Sequence, residues 1–404
     1  MIASCLTIDA YAADYSVNGF LQGNYSFGTE ASNPDGGDLK WAEERAQLKA
    51  EVAQEPVRLF LKADVFYDHI DKNTEVELRE AYIDLTGGRW DLRAGRQIIT
   101  WGLGDLIFIN DVFPKDYEAF FSGRPLEYLK KGVDAVKASF YPDMASVEFV
   151  VIPFFEPNNF PDANRFWMFD PMPGVTDRVQ KEPASNIRNT EVALRAYRDI
   201  AGFDASVYLY KGFYRTPSMR PDSLTAPTRI ELIYPELAVY GASLQRGALG
   251  GVLGFEAGYY DSLDDRRGTD PLIPNSQTRF LLSYQRQVIE DLSITVQYYG
   301  EYMHDYPEYE RTRIASFPKE PKFRDLTSLR LTYLLMNQNM RLQWFSFWSP
   351  ADRDYLLNPE VRYNFSDHIW TALGANIFGG KKDTTQFASL DENDNIYVQA
   401  RYEF

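Results

Sequence analysis

Hydrophobic and polar residues alternate with period two along most of the chain between Tyr15 and Phe404. The alternating segments are about ten residues long and are separated by residues typical of turns, a pattern that predicts β-strands. We expect eighteen strands, at residues 15–25, 41–52, 57–68, 76–85, 90–99, 133–141, 145–154, 189–199, 203–212, 236–246, 251–262, 277–287, 292–302, 327–336, 340–348, 354–364, 368–378 and 394–404.

The connections between these segments alternate in length. Every even-numbered connection is a tight turn, such as Gly87-Gly88, whereas every odd-numbered one is a candidate long loop, notably residues 155–188, 213–235 and 303–326. Short periplasmic turns alternating with long extracellular loops are typical of bacterial outer-membrane barrels. The sequence therefore predicts an all-β protein, a single antiparallel transmembrane β-barrel of about 18 strands, with 16 as the nearest alternative. The even count places both termini on the periplasmic side.

Alternation within the strands indicates two different environments. Val296 and Tyr298 fall on one face of their strand, and Thr295 and Gln297 fall on the other. In a membrane barrel the apolar row faces lipid and the polar row lines the lumen. The pattern breaks near residues 79–80 and again near residues 95–96, where we expect β-bulges.

The C-terminus has the same alternation and ends in an aromatic residue. Val398, Ala400, Tyr402 and Phe404 alternate with polar residues, and Phe404 is the last residue. This segment resembles the terminal strand of outer-membrane proteins of Gram-negative bacteria. The resemblance implies that Phe404 closes the barrel and is read by the barrel insertion machinery. We expect the outer face to contact outer-membrane lipid and lipopolysaccharide.

Composition excludes several other classes of protein. Charged residues make up 25% of the chain, the mean hydropathy is −0.38, and no uncharged apolar stretch is long enough for a transmembrane helix. The aromatic content of 15% suits the aromatic girdles of membrane barrels. A net charge of −16 argues against a nucleic-acid partner, and the single cysteine, Cys5, excludes a disulfide framework.

Residues 1–12 are predicted to be a signal-peptide remnant, followed by the barrel at residues 13–404. Ala10-Tyr11-Ala12 has the pattern of a signal-peptide cleavage site. The basic region and long apolar run that normally precede such a site are missing, which suggests a truncated or misannotated start. The alternative is an ordinary N-terminus with chance alanines.

The sequence offers little chemistry for catalysis. His69, His304 and His368 fall at strand ends or in loops and do not have metal-ligand spacing. No nucleophile elbow, phosphate-binding loop or metalloprotease motif occurs. An esterase on the outer wall would need one of these histidines beside a serine such as Ser346 or Ser366. We therefore predict a protein that is not an enzyme, with no catalytic residues, metal site or cofactor.

A more specific signal follows the fifth predicted strand. The chain reads Gly95-Arg96-Gln97, then Trp101-Gly102, then Asp111-Val112-Phe113-Pro114. This pattern resembles a motif of porin-like outer-membrane families and, more distantly, of alginate-export-type barrels. The resemblance implies an outer-membrane location and a role in transport, without fixing a substrate.

The segment at residues 100–132 is too apolar to lie free in solvent, since it contains Leu106, Ile107, Phe108, Ile109 and Phe113. Because an 18-stranded barrel has a wide lumen, we expect this loop to fold inward and to narrow the channel. The alternative is a loop that caps the outer rim or contacts another subunit. The predicted pore residues are Asp105, Asp111, Lys115, Asp116, Glu118 and Arg124 on the loop, with Arg58, Lys62 and Arg93 on the adjacent wall.

Inward-facing positions carry charges of both signs, which favours polar solutes without indicating a purely anionic or cationic pathway. The predicted function is an outer-membrane channel for passive diffusion of small hydrophilic solutes. One alternative is a barrel that serves as a sheath for a periplasmic partner, such as a multihaem cytochrome. Another is an export conduit for a hydrophobic or polymeric substrate, for which Tyr208, Tyr210 and Tyr299 could supply an aromatic track.

Overall fold

A computed structural model describes residues 13–404 and contains a closed barrel of 18 antiparallel strands. The signal-peptide interpretation of residues 1–12 lies outside the described residues. The barrel strands are β1 (Asp14–Gly28), β2 (Leu39–Gln54), β3 (Val57–Asp68), β4 (Asn73–Thr86), β5 (Trp90–Gln97), β6 (Val133–Phe140), β7 (Ser146–Ile152), β9 (Glu191–Ile200), β10 (Phe203–Phe213), β13 (Glu236–Ala248), β14 (Gly251–Ser262), β15 (Gln277–Ile289), β16 (Leu292–Met303), β17 (Phe323–Leu335), β18 (Met340–Ser349), β19 (Asp354–Asn364), β20 (Ile369–Gly380) and β21 (Asn395–Glu403).

Three short strands outside the barrel form a separate sheet between two long loops. They are β8 (Asp177–Lys181), β11 (Ser218–Pro221) and β12 (Arg229–Ile233), and β12 pairs with both of the others. The alternation of the sequence did not predict this sheet. The remaining elements are two helices, α1 (Tyr117–Phe121) and α2 (Tyr306–Thr312), and 3-10 turns at Leu126–Tyr128, Ile187–Asn189 and Ala388–Asn393.

Each predicted strand coincides with a barrel strand, so the count of eighteen is confirmed over the alternative of sixteen. The barrel closes between β1 and β21. At the seam, the backbone N–H groups of Gly19 and Phe404 each donate to the other residue's carbonyl over 2.9 Å. The terminal aromatic residue therefore completes the last ladder of the barrel.

The two faces of the strands differ as the alternation predicts. On β16, Val296 is 42% exposed on the outer surface, whereas Gln297 is buried inside the barrel. The even-numbered connections are all tight turns, and we call that rim the turn end. The opposite rim, the loop end, bears the long connections, although residues 69–72 and 350–353 form short ones there. Among residues 13–404, no helix has the length and apolar character needed to cross a membrane.

One of the two predicted bulges is confirmed. On β4, Glu80 pairs with Lys62 and Leu78 pairs with Ala63, which leaves Arg79 as an extra residue without a partner on β3. A bulge turns the extra residue out of the regular alternation. Arg79 can therefore point into the lumen instead of continuing the strand's pattern.

The prediction of a bulge near Gly95 is wrong, because β5 keeps its register with both neighbouring strands there. Gly95 breaks the sequence pattern for a different reason. Its φ is +125°, and an added Cβ would lie 2.2 Å from the carbonyl oxygen of Ala81. Only glycine fits this close approach of two backbones, so the residue marks a local conformation and not an insertion.

Candidate functional site

The connection between β5 and β6, residues 98–132, folds into the barrel, as the sequence predicted; we call it the lumen loop. Its apolar side chains are buried in the largest hydrophobic cluster found in residues 13–404. That cluster joins Ile109 and Phe113 of the loop to wall residues such as Tyr208, Leu281 and Phe345. Burial of these side chains against the inner wall explains why so apolar a segment lies inside and not at the rim.

The lumen loop is anchored to β14 by one buried carboxylate. Glu256 accepts hydrogen bonds from the backbone N–H groups of Leu103 over 2.6 Å and of Asn110 over 2.8 Å, and from the Asn110 side-chain amide over 2.9 Å. The backbone approaches this carboxylate at Gly102, whose φ is +81°. Gly102 is the glycine of the Trp-Gly pair noted in the sequence. It allows the loop backbone to lie directly against Glu256.

The loop is anchored to β17 by an ion pair. The Arg330 guanidinium donates from Nη2 to Oδ1 of Asp105 over 2.9 Å and from Nε to Oδ2 over 2.5 Å. The backbone N–H of Asp105 also donates to the side-chain oxygen of Gln297 on β16 over 3.2 Å. Two-point pairing of this kind fixes orientation as well as position.

A third anchor lies on β20 and β21. The side-chain amides of Asn376 and Asn395 both donate to the carbonyl of Phe121, over 3.1 and 3.2 Å. The Gln399 amide donates to the carbonyl of Gly123 over 2.6 Å. These amides satisfy backbone carbonyl groups at the end of α1 and just after it, and so attach this part of the loop to the wall.

The fourth anchor lies on β2 to β4 and centres on Tyr128, which is fully buried. The guanidinium groups of Arg45, Arg79 and Arg124 lie 4.5–4.7 Å from its ring centroid. Arg79 also donates to the carbonyl of Glu127 over 2.8 Å. The bulge in β4 thus directs Arg79 onto the lumen loop.

Five of the six predicted pore residues on the loop form ion pairs, and the sixth, Glu118, accepts hydrogen bonds instead. Asp105 pairs with Arg330, as described above. Asp111 lies 2.9 Å from the Lys115 ammonium and 3.1 Å from that of Lys130. Arg124 lies 3.7 Å from Glu43 on the wall.

Asp111, Lys115 and Arg124 are only 5%, 2% and 7% exposed. The expectation that these three face open channel solvent is therefore corrected. They are buried because the loop folds upon itself and onto the wall, and their charges hold it there.

Asp116 and Glu118 organise the start of α1. Asp116 caps the helix by accepting from the backbone N–H of Ala119 over 2.8 Å. Glu118 accepts from the backbone N–H of Asp162 over 3.1 Å and from the Asn159 amide over 3.3 Å. Burial, assisted by the neighbouring negative charge of Asp116, raises the pKa of Glu118 to about 7.

The three predicted wall residues pair with acidic neighbours. Arg93 lies 2.7 Å from Asp84, and Arg58 lies 3.6 Å from the same carboxylate and 3.0 Å from Glu51. Lys62 lies 3.5 Å from Glu127 of the lumen loop. Of the three, Lys62 is thus the one whose charge is paired directly with the loop.

Two cavities lie on either side of α1. The outer chamber, toward the loop end, has a volume of about 860 Å³, and Tyr117 and Phe121 of α1 line it. The inner cavity, toward the turn end, has a volume of about 220 Å³, and Phe120 and Arg124 line it. The helix and the residues after it therefore separate the two spaces.

The inner cavity brings together arginines from three strands. Arg341 on β18 and Arg362 on β19 are direct cross-strand partners, and Arg401 on β21 lines the same cavity. Arg341 donates to Glu360 over 2.8 Å, and Arg401 pairs with Glu127 over 2.7 Å.

Arg362 is different from the other two. It stacks on the Trp370 ring and donates to the side chain of Asn364, but within residues 13–404 it has no carboxylate at ion-pair distance. Sequence analysis predicted that inward-facing positions carry charges of both signs, and the side-chain alternation puts Arg341, Arg362 and Arg401 at such positions. It did not show that they meet, because they lie on different strands.

Solved outer-membrane porins have the same fold. OccAB3 of Acinetobacter baumannii superposes with a TM-score of 0.58 at 8% identity, over 97% of this chain and 99% of that chain. OccK2 of Pseudomonas aeruginosa, solved in complex with glucuronate, gives 0.58 at 10% identity, over 97% and 98%. These likenesses show that the chain has the closed-barrel fold of these porins.

A family model described as "Protein of unknown function (DUF1302)" matches residues 70–404. The chain belongs to this family. No curated protein sequence matches the chain significantly.

Proposed function

We propose that the protein is a pore for the passive diffusion of small hydrophilic solutes and that the lumen loop is its constriction. The observation that carries this proposal is the anchoring of one loop to four separate parts of the wall, through Glu256, Arg330, Gln399 and Arg79. A loop fixed to the wall at four places narrows the lumen and leaves passage only where the loop and the wall are not in contact. Such a constriction suits selection by size and charge.

Within this proposal, the charged groups that keep partial exposure determine ion selectivity. The side chain of Asp105 is 34% exposed, and those of Arg58 and Arg93 are 38% and 24% exposed. Lys62 and Glu118 contribute less, because each is held against the loop or its neighbours. The buried pair of Asp111 and Lys115 acts by keeping the loop in place.

The other functions considered from the sequence have less support. A folded periplasmic partner inside the barrel would have to displace the lumen loop from all four anchors. Tyr208 and Tyr210, which could have formed an aromatic export track, are 2% and 4% exposed because the lumen loop covers them. For a hydrolase, the ring of His368 contacts the Glu403 carbonyl and not a serine hydroxyl. We therefore infer a channel and not an enzyme.

Single-channel recording in planar bilayers tests the proposal. The purified barrel should give stable ohmic steps and a measurable reversal potential in a salt gradient. Glu256→Ala should raise the conductance, because it frees three donors of the lumen loop from the wall. Asp261→Asn is the matched control: Asp261 lies on the same strand but pairs with Arg266 of its own loop over 2.9 Å. A folded barrel that inserts without conducting would overturn the diffusion pore.

A further inference from the structure

The outer chamber has an unusual lining for a path taken only by hydrophilic solutes. Apolar and aromatic side chains face it from the lumen loop and from five other loops of the loop end. They include Phe160, Phe169, Tyr214, Leu272 and Phe317. Phe169 is 39% exposed and its neighbour Met168 is 43% exposed. Apolar surface in contact with water costs free energy, about 25 cal/mol per Å², unless a ligand covers it.

The chamber has the size of a binding site for an organic molecule. Its volume of about 860 Å³ falls within the range of roughly 300–1,000 Å³ typical of small-molecule pockets. Such pockets combine an apolar lining with a few well-placed polar groups. The outer chamber has this combination, since basic side chains also line it.

Among the charged side chains that line the outer chamber, basic ones outnumber acidic ones. Five basic side chains line it against three acidic ones. Four of the five basic groups are paired with carboxylates: Lys115 with Asp111, Arg215 with Glu191, Arg279 with Glu301 and Arg324 with Glu320. Arg313, at the end of α2, makes no ion pair within the part of the chain that the structure describes. Its guanidinium is available to a ligand.

The inner cavity continues this positive charge beyond α1. Four arginines and two glutamates line it. Arg341 and Arg362 face each other directly across neighbouring strands, and like charges so placed are destabilising. The Nε atom of Arg341 is buried without a hydrogen-bond partner. An anion between the two guanidinium groups would relieve the repulsion and accept from them in two-point geometry.

We propose that the lumen binds amphipathic organic carboxylates, with the apolar body in the outer chamber and the acid group directed toward arginine. Arg313 meets the acid group at the entrance, and the group formed by Arg341, Arg362 and Arg401 receives it beyond α1. This inference rests on the proposed diffusion pore and specifies its substrate class. It also accounts for the aromatic lining, which diffusion of salts would not require.

Block of the open channel by three probes tests both parts of the ligand. The first probe is 2-naphthoate, which has both the apolar body and the negative charge. Gluconate has the negative charge without the apolar body. The third probe, 2-naphthylmethylammonium, has the apolar body with a positive charge. Added from the loop end, 2-naphthoate should block at a concentration about tenfold lower than either of the others, the ratio expected for one additional favourable contact. Equal block by gluconate or by the ammonium probe would overturn the proposal.

Two variants separate the two contributions. Phe169→Ala should raise the half-blocking concentration of 2-naphthoate about fivefold and leave that of gluconate unchanged. Arg362→Gln should raise it about tenfold for both anions. Arg195→Gln is the matched control, because Arg195 lies inside the barrel but lines neither cavity. Insensitivity of 2-naphthoate block to Phe169→Ala would also contradict the proposal.

The recording distinguishes failure of this inference from failure of the pore. Conductance in potassium chloride, measured before any probe is added, decides whether the barrel is an open pore. Calorimetric titration of the detergent-solubilised barrel with 2-naphthoate then tests the chamber alone. Heat-modifiable mobility on gels confirms that each variant is folded. A conducting barrel that binds no 2-naphthoate would contradict the proposed substrate class and would still support the diffusion pore.

Discussion

An added Cβ on Gly102 would lie 2.7 Å from Oε1 of Glu256, so the lumen loop and β14 meet without space for a side chain. Gly102 also has a φ of +81°, a backbone conformation that residues with a side chain rarely adopt. We expect Gly102→Ala to lose about 1–2 kcal/mol through its backbone conformation. Displacing Glu256 from its donors should cost a further 1–3 kcal/mol, roughly. Urea unfolding in lipid vesicles measures the total.

Gly250→Ala is the control for this substitution. Gly250 has a similar φ of +73°, but an added Cβ there meets only the flexible end of Arg286 at 3.6 Å or more. Gly250→Ala should therefore lose only the free energy of unfolding that the backbone conformation costs. If the two variants are equally destabilised, Gly102 is not required by its contact with Glu256.

Tyr128 should be a major source of stability for the lumen loop. It is fully buried among three guanidinium groups. Tyr128→Ala should destabilise the barrel by about 3–5 kcal/mol, the usual loss for a buried aromatic residue. The same variant should increase current noise, because the loop loses the anchor on β2 to β4.

Tyr128→Phe keeps the ring and removes only a 3.5 Å contact with the Gln47 amide. Its loss should stay below about 1 kcal/mol. A loss as large as that of the alanine variant would show that the hydroxyl, and not the ring, holds the loop.

The loop should also respond to pH through Glu118. Its pKa is raised to about 7, mainly by burial and then by the charge of Asp116, although Arg124 and Arg165 oppose the shift. A carboxyl group with a raised pKa stabilises the folded state fully at low pH. That contribution is lost as the pH rises from about 4.5 through 7. The contribution of Glu118 should therefore make the urea concentration at half-unfolding higher at pH 5 than at pH 8.

Comparison with Glu118→Gln isolates this effect from other titrating groups. The variant cannot ionise, so the stability difference between pH 5 and pH 8 should be smaller than in the original protein. Denaturation midpoints at both pH values measure it. An identical pH dependence in the two proteins would show that Glu118 does not titrate in this range.

Phe404 should matter for assembly more than for conductance. It completes the seam through two backbone hydrogen bonds with Gly19, and its ring covers that glycine. Deleting Phe404 should reduce the fraction of folded barrel recovered from outer membranes, as judged by heat-modifiable mobility. Phe404→Tyr, which keeps an aromatic end, should assemble normally. Normal assembly of the deletion would contradict a role in insertion.

The candidate site was only partly predictable from the sequence. Sequence analysis identified Asp105 and Arg124 as loop charges and expected the loop to fold inward. It did not identify Glu256, Arg79 or Gln399 as anchors, because nothing in the alternation distinguishes them from other inward polar residues. The glycine of the Trp-Gly pair was the one local signal of the contact with Glu256.

The sequence by itself determined the strands and their number, because side-chain alternation and turn residues are properties of neighbouring positions. The placement of Phe404 at the end of the last strand follows from the same local pattern. Only the tertiary structure decided which lumen charges meet. Asp105 and Arg330 are 225 positions apart, and contacts of such separation depend on barrel closure and on the path of the lumen loop.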